Sequence, residues 1–196
     1  MLRHVPREER WLETHPRRLH RVPATARHWI AWPHSLTERV AAHVGNSVRI
    51  RVLSERDERL LRDERDLLEI VERSGRVREV QLEVNGHPYV VARTVYPRST
   101  ARGTNDGLRR LGSRSLGSLL FGALRAPAVT REFATLNPHA PLWRMMQAHL
   151  PREAAILWAR RAVHSLRGRP LLVTEIFLPR LFEDRLFEDS HGSPTR

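Results

Sequence analysis

Hydrophobic and polar positions alternate most clearly in "RVREVQLEVNGHPYVVARTVYP". Two period-two runs flank Asn85-Gly86, the dipeptide that favours a two-residue type I′ turn, so the segment predicts a β-hairpin. "LWARRAVHSLRGRPLLVTEIFLP" predicts a second hairpin, turning at Arg167-Gly168. "SVRIRVLSE" alternates at Val48, Ile50 and Val52 and predicts a half-exposed strand. Before it, Ser35 and Glu38 have capping-box spacing, Leu36, Val40 and Val44 form one helical stripe, and Gly45 is a helix stop. "TNDGLRRLG" and "SLGSLLFGAL" read as two short helices parted by Gly112, "RDERLLRDERDLLEIVER" as a partly helical surface segment, and residues 128–155 as helical or irregular.

At least five strand segments with helices between them predict an α+β fold: a single antiparallel β-sheet with helices on one side. Residues 1–27 lack a sustained period and read as an extended or poorly ordered lead, 28–180 as the domain, and 181–196, with a duplicated LFED unit, as a loose polar tail.

Hairpin register brings chemistry into view. Counting back from Asn85-Gly86 puts Tyr89 opposite Leu82, Val91 opposite Val80, and Arg93 opposite Arg78. Two arginines facing each other are unfavourable unless an anion joins them, so the register suggests a carboxylate or phosphate pocket. The alternative is that both reach water at the sheet rim. Counting back from Arg167-Gly168 puts His164 opposite Leu171, Ala162 opposite Val173, and Arg160 opposite Glu175. Glu175 lies within the apolar run "PLLVTEIFLP", where an unpaired carboxylate is costly, so Arg160 is its expected partner. A Glu and an Arg on one sheet face are more often an ordinary ion pair than a functional one, so the pairing alone leaves function the less common of two readings. In "LGSRSLGSLLF", the amides of Ser115, Leu116 and Gly117 lie at a helix start, which suits an anion, although a plain turn reads the same way.

Composition trims the alternatives. The 196-residue chain carries a formal net charge of +12, yet all 34 basic residues are Arg, spread along the chain among acids. That pattern reads as a solvated surface more than a nucleic-acid-binding stripe. Cysteine is absent, which excludes disulfides and thiolate metal sites and suits a cytoplasmic protein. The eleven histidines have no HExxH or comparable metal-ligand spacing, and no Walker, GxGxxG or GxSxG motif occurs. No apolar run is long enough to cross a bilayer as a helix, and the N-terminus lacks the apolar core of a secretory signal.

"HSLTERV", "REVQLEVNGHPYVVARTVYP", "LRRLGSRSLGSLLF", "TREF", "LWARR" and "GRPLLVTEIFLP", in this order, resemble the chorismate pyruvate-lyase family over roughly residues 29–179. The resemblance implies an antiparallel sheet with helical flaps over an internal pocket. It also implies an enzyme that splits chorismate into 4-hydroxybenzoate and pyruvate at the first committed step towards ubiquinone. Cofactor and metal are both expected to be absent. By motif match, Arg78 binds the ring carboxylate, the main chain at Leu36 and Leu116 assists, Glu175 meets the ring hydroxyl, and Arg93 is a second pocket arginine. The partners expected are chorismate and 4-hydroxybenzoate, with no specific nucleic acid, no transmembrane segment and a monomeric state. One departure is the stretch at 137–156, longer than the family's usual link and expected to enlarge a flap. A non-catalytic aromatic-acid-binding module of the same fold is the alternative; a basic nucleic-acid binder comes third.

Overall fold

The computed structural model describes residues 10–123, 126 and 128–183. Its centre is a seven-stranded antiparallel sheet. In chain order the strands are β1 (Leu12–Glu13), β2 (Arg49–Arg59), β3 (Ser74–Val84), β4 (His87–Tyr96), β5 (Ala128–Leu136), β6 (Leu157–Leu166) and β7 (Arg169–Phe177). Their spatial order is β1-β5-β6-β7-β4-β3-β2. Strand β7 is therefore central, with β5 and β3 each two strands away.

Both anticipated hairpins form. Asn85 and Gly86 take φ of 51° and 79°, and Arg167 and Gly168 take 51° and 78°, the positive values a type I′ turn needs. The second hairpin keeps the counted register throughout, from Leu166 opposite Arg169 to Arg160 opposite Glu175. The first does not. Val84 pairs with His87 and Glu83 with Pro88, but Leu82 then pairs with Val90, leaving Tyr89 as the extra residue of a bulge. Pro88 has no N–H to give the ladder, which favours a bulge beside the turn. From there on the register slips by one. Arg93 lies opposite Glu79, and Arg78 opposite Thr94. A one-residue slip exchanges faces, so Arg78 and Arg93 point to opposite sides of the sheet.

Helices cover both faces of the sheet, not one. On the first face, α1 (Pro16–Leu19), α2 (Ala24–Ile30) and α3 (Leu36–Val44) lead into the chain. Trp29, Ile30, Leu36, Val40 and Val44 pack on Val80, Leu82, Val90, Ala92 and Phe177. Ser35 caps α3 through its hydroxyl, and Gly45 ends the helix in the left-handed region. On the opposite face, α4 (Arg62–Leu68) sets Leu68 against Val77, Val95, Val163 and Leu172. The segment 103–123 returns to the first face as a 3₁₀ stretch (Gly103–Arg110), then α5 (Leu116–Ser118) running into a π turn (Leu119–Ala123).

Several expectations are corrected here. Within the presumed lead, residues 10–27 carry β1, α1 and the start of α2, and Val22 and Ala26 are buried in the core. Residues 1–9 lie outside the described residues. "AVTREFATL" is strand β5, not helical or irregular. The long link forms α6 (Pro141–Met146), whose Leu142, Trp143 and Met146 pack on Val91, Ala159 and Ile176. That is the face away from Arg78 and Glu175, so the link enlarges no flap over them. Leu181, Phe182 and Glu183 of the first LFED copy lie in α7 (Arg180–Glu183), with Leu181 buried and Phe182 edge-on to Phe177; residues 184–196 lie outside the described residues. The strand beginning at Arg49 also runs further than expected, through Arg59, after a bulge near Val52.

Candidate active site

Cross-strand registers assemble a floor from two rows of side chains. One row reads Arg78–Thr94–Val173–Ala162–Arg131 across β3, β4, β7, β6 and β5. The next reads Val80–Ala92–Glu175–Arg160–Phe133. A cavity of about 80 Å³ lies above this floor. Small side chains at its middle (Thr94, Ala162, Ala92) leave that space open, while Leu36, Trp32, His34, Leu116, Leu120 and Phe121 roof it. A volume several times that needed by one water is on the scale of a single substituted ring.

The roof is built from two helix starts brought together. Ser35 precedes α3 and Ser115 precedes α5; each caps its helix by accepting a hydrogen bond from the main chain three residues on. Thr37 Oγ1 and Ser115 Oγ are 3.1 Å apart. Gly117 makes the approach possible, because a Cβ there would stand 2.9 Å from Ser35 Oγ. Both Leu36 and Leu116 line the cavity as first residues of their helices, where main-chain N–H groups have no intrahelical acceptor.

Arg78 is buried, its side chain only 2% exposed. It donates from Nη2 to the Gly112 carbonyl at 2.6 Å, and Nε lies 3.6 Å from Glu55 Oε2 without a hydrogen bond of its own. Burial lowers its pKa, with Glu55 and Tyr96 opposing that shift. This is a cation held in place with donor capacity to spare, the arrangement that grips a carboxylate through a planar fork.

Glu175 supplies the opposite charge. Arg160 Nε donates to Glu175 Oε2 at 2.5 Å, and Arg160 Nη1 donates to the carbonyls of Trp29 and Trp32 at 2.9 and 2.6 Å. The pairing fixes the carboxylate and ties the chain after α2 to the floor. Arg78 and Glu175 are two strands and two residues apart, about 12 Å between Cα atoms by sheet geometry. Allowing for both side chains, that separation suits a flat ring with polar groups at its two ends.

Five of the six anticipated residues therefore line one cavity: Leu36, Arg78, Leu116, Arg160 and Glu175. Arg93 does not. It is fully buried on the other face, donating to Glu64 at 2.8 Å and to Glu79 at 2.7 Å. Burial lowers its pKa, but Glu64 and Glu79 outweigh this and leave it raised. That cation is consumed by the fold.

The cavity also holds Thr94, Arg131 and His164, none of which the sequence marked as a site residue. His164 gives its Nδ1–H to the Ala126 carbonyl at 2.8 Å and meets Phe121 edge-on. Arg131 donates to the Pro33 carbonyl at 2.7 Å. The strand formers Val129, Thr130, Phe133 and Thr135, stopped by Asn137-Pro138, carried the missed signal for β5 and hence for Arg131. Among the described residues, no cluster of His, Asp or Glu is placed to hold a metal ion, and no helix is long and apolar enough to cross a membrane.

Known proteins share the fold and much of the sequence. The effector domain of PhnF from Mycobacterium smegmatis shares the fold with a TM-score of 0.52 at 16% identity, covering 75% of this chain and 90% of that one. A probable chorismate pyruvate-lyase from Aromatoleum aromaticum is 39% identical over 183 residues, covering 91% of this chain and 96% of that protein. Another from Methylobacillus flagellatus is 34% identical over 172 residues, covering 87% and 93%. The family model described as chorismate lyase matches residues 5–186, and with relatives this similar along nearly its whole length, the chain belongs to the chorismate lyase family.

Proposed function

We propose that the protein is a chorismate pyruvate-lyase, converting chorismate to 4-hydroxybenzoate and pyruvate. The observation that carries this reading is the placement of Arg78 and Glu175 on one small cavity, about 12 Å apart between Cα atoms, in a chain of this family. The ring carboxylate lies against Arg78 and the main-chain N–H groups where α3 and α5 begin. The ring hydroxyl at the para position meets Glu175.

In the reaction the ether C–O bond to the enolpyruvyl group breaks, and the ring carbon bearing the hydroxyl loses its hydrogen. A new ring double bond completes the aromatic system, and the departing group becomes pyruvate. The two products together contain all the atoms of chorismate, with no net oxidation, so neither a cofactor nor a co-substrate is required. Aromatisation supplies the driving force. The protein's work is to orient the ring and to stabilise negative charge as it moves to the departing oxygen. Glu175, held by Arg160, fixes the hydroxyl and so the face from which hydrogen leaves. In this reading the enzyme acts as a cytoplasmic monomer, feeds ubiquinone synthesis and has no specific nucleic-acid partner. Incubating the purified protein with chorismate and following both products tests it.

A further inference from the structure

Chorismate is a dianion: one carboxylate on the ring and one on the enolpyruvyl side chain. With Arg93 on the far face, the cavity needs another cation for the second. Four arginines line it: Arg78, Arg131, Arg160 and Arg161. Arg160 is committed to Glu175 and two carbonyls. Arg161 is held by Asp63 and Glu132, each at 2.6 Å, and lies over the Trp11 ring. Arg131 makes no ion pair among the described residues; the hydrogen bond of its guanidinium to the Pro33 carbonyl positions the side chain without neutralising it.

We propose that Arg131 binds the enolpyruvyl carboxylate of chorismate, an inference that rests on the lyase reading above. Position supports it. Glu175 stands on the central strand, while Arg78 and Arg131 end the neighbouring row two strands to either side. Each is about 12 Å from Glu175 between Cα atoms. The enolpyruvyl ether is carried by the ring carbon next to the one bearing the hydroxyl. A ring placed between Arg78 and Glu175 can therefore send its side chain from the Glu175 end towards β5. Burial, with Arg160 adding and Glu175 opposing, lowers the Arg131 pKa, as for a cation that gains from a nearby anion. Arg131 is also less buried than Arg78 and lies beside Thr14 and Pro33, so the fragment it holds is the one nearer the outside.

The role separates substrate from product, because 4-hydroxybenzoate lacks the group that Arg131 would hold. The test measures KM for chorismate and Kd for 4-hydroxybenzoate in wild type, Arg131→Gln and Arg131→Lys. Arg131→Gln should raise KM tenfold or more while Kd stays within twofold, and Arg131→Lys should recover part of the loss. Equal weakening of both ligands, or an unchanged KM, would overturn the assignment. Should Arg131→Gln not fold, Arg131→Lys is read alone, by whether its change falls on KM and spares Kd. Wild-type protein that leaves chorismate untouched would instead overturn the lyase reading itself.

Discussion

Arg160 and Glu175 stand directly opposite each other on β6 and β7, joined by a 2.5 Å hydrogen bond, and the same guanidinium holds the carbonyls of Trp29 and Trp32. One cation thus fixes both the carboxylate of the cavity and part of the roof above it. Arg160→Met keeps the volume of the stem but removes these bonds. It should lower kcat/KM at least tenfold and cost about 1–3 kcal/mol of stability, because the pair is only partly exposed and its hydrogen bonds are to a charged group. Steady-state kinetics alongside denaturant unfolding checks this, and a variant with wild-type kcat/KM would separate Arg160 from the site.

Arg93 should behave in the opposite way. Its removal strands Glu64 and Glu79, both nearly fully buried, on the face away from the cavity. Losing one member of such a network costs about 3–5 kcal/mol. For a chain of this size that lowers Tm by roughly 10 °C. Arg93→Met should therefore melt early yet keep its affinity for 4-hydroxybenzoate per folded molecule. Titration well below the melting point measures this, and a selective loss of affinity would return Arg93 to the pocket.

His164 sets a pH dependence. Burial lowers its pKa below the ordinary 6.5; the Ala126 carbonyl and Glu175 oppose the shift, and Arg131 and Arg160 add to it. Below about pH 6.5 the unfolded histidine takes up a proton while the folded one stays neutral. The unfolded state then binds more protons, so stability falls as pH drops from 6.5 towards the folded pKa, by at most about 1.4 kcal/mol per pH unit. His164→Leu should flatten the fall in stability between pH 6.5 and 5. Unfolding curves across that range check it, and an unchanged slope would show that His164 does not remain neutral in the fold.

What the sequence made legible follows from where local rules govern. Arg167-Gly168 is a turn without complication, and every pairing counted back from it holds, including Arg160 with Glu175. Asn85-Gly86 is an equally good turn, but Pro88 two residues later breaks the ladder, and the count fails from Tyr89 onward. The same error moved Arg93 into the pocket, even though the motif match agreed with it. Strand β5 was missed because its face towards the cavity carries Arg131 beside Phe133, so no clean alternation marks it. The lead was misread because β1 has only two residues and draws its stability from pairing with β5, a contact made over more than a hundred residues of chain. The site itself was visible to the extent that it lies on the regular hairpin, on Arg78 and at the two helix starts. His164 was on the counted hairpin and Arg131 within the TREF motif, but their place at the cavity came only with the three-dimensional structure.

The most direct measurement mixes purified protein with chorismate, without added metal, and follows 4-hydroxybenzoate and pyruvate together, in wild type, Glu175→Gln and Arg78→Ala. The account predicts equimolar products from wild type, and turnover at least tenfold lower in each variant while both remain folded. Folded wild-type protein that leaves chorismate intact, or two variants with undiminished turnover, would contradict it.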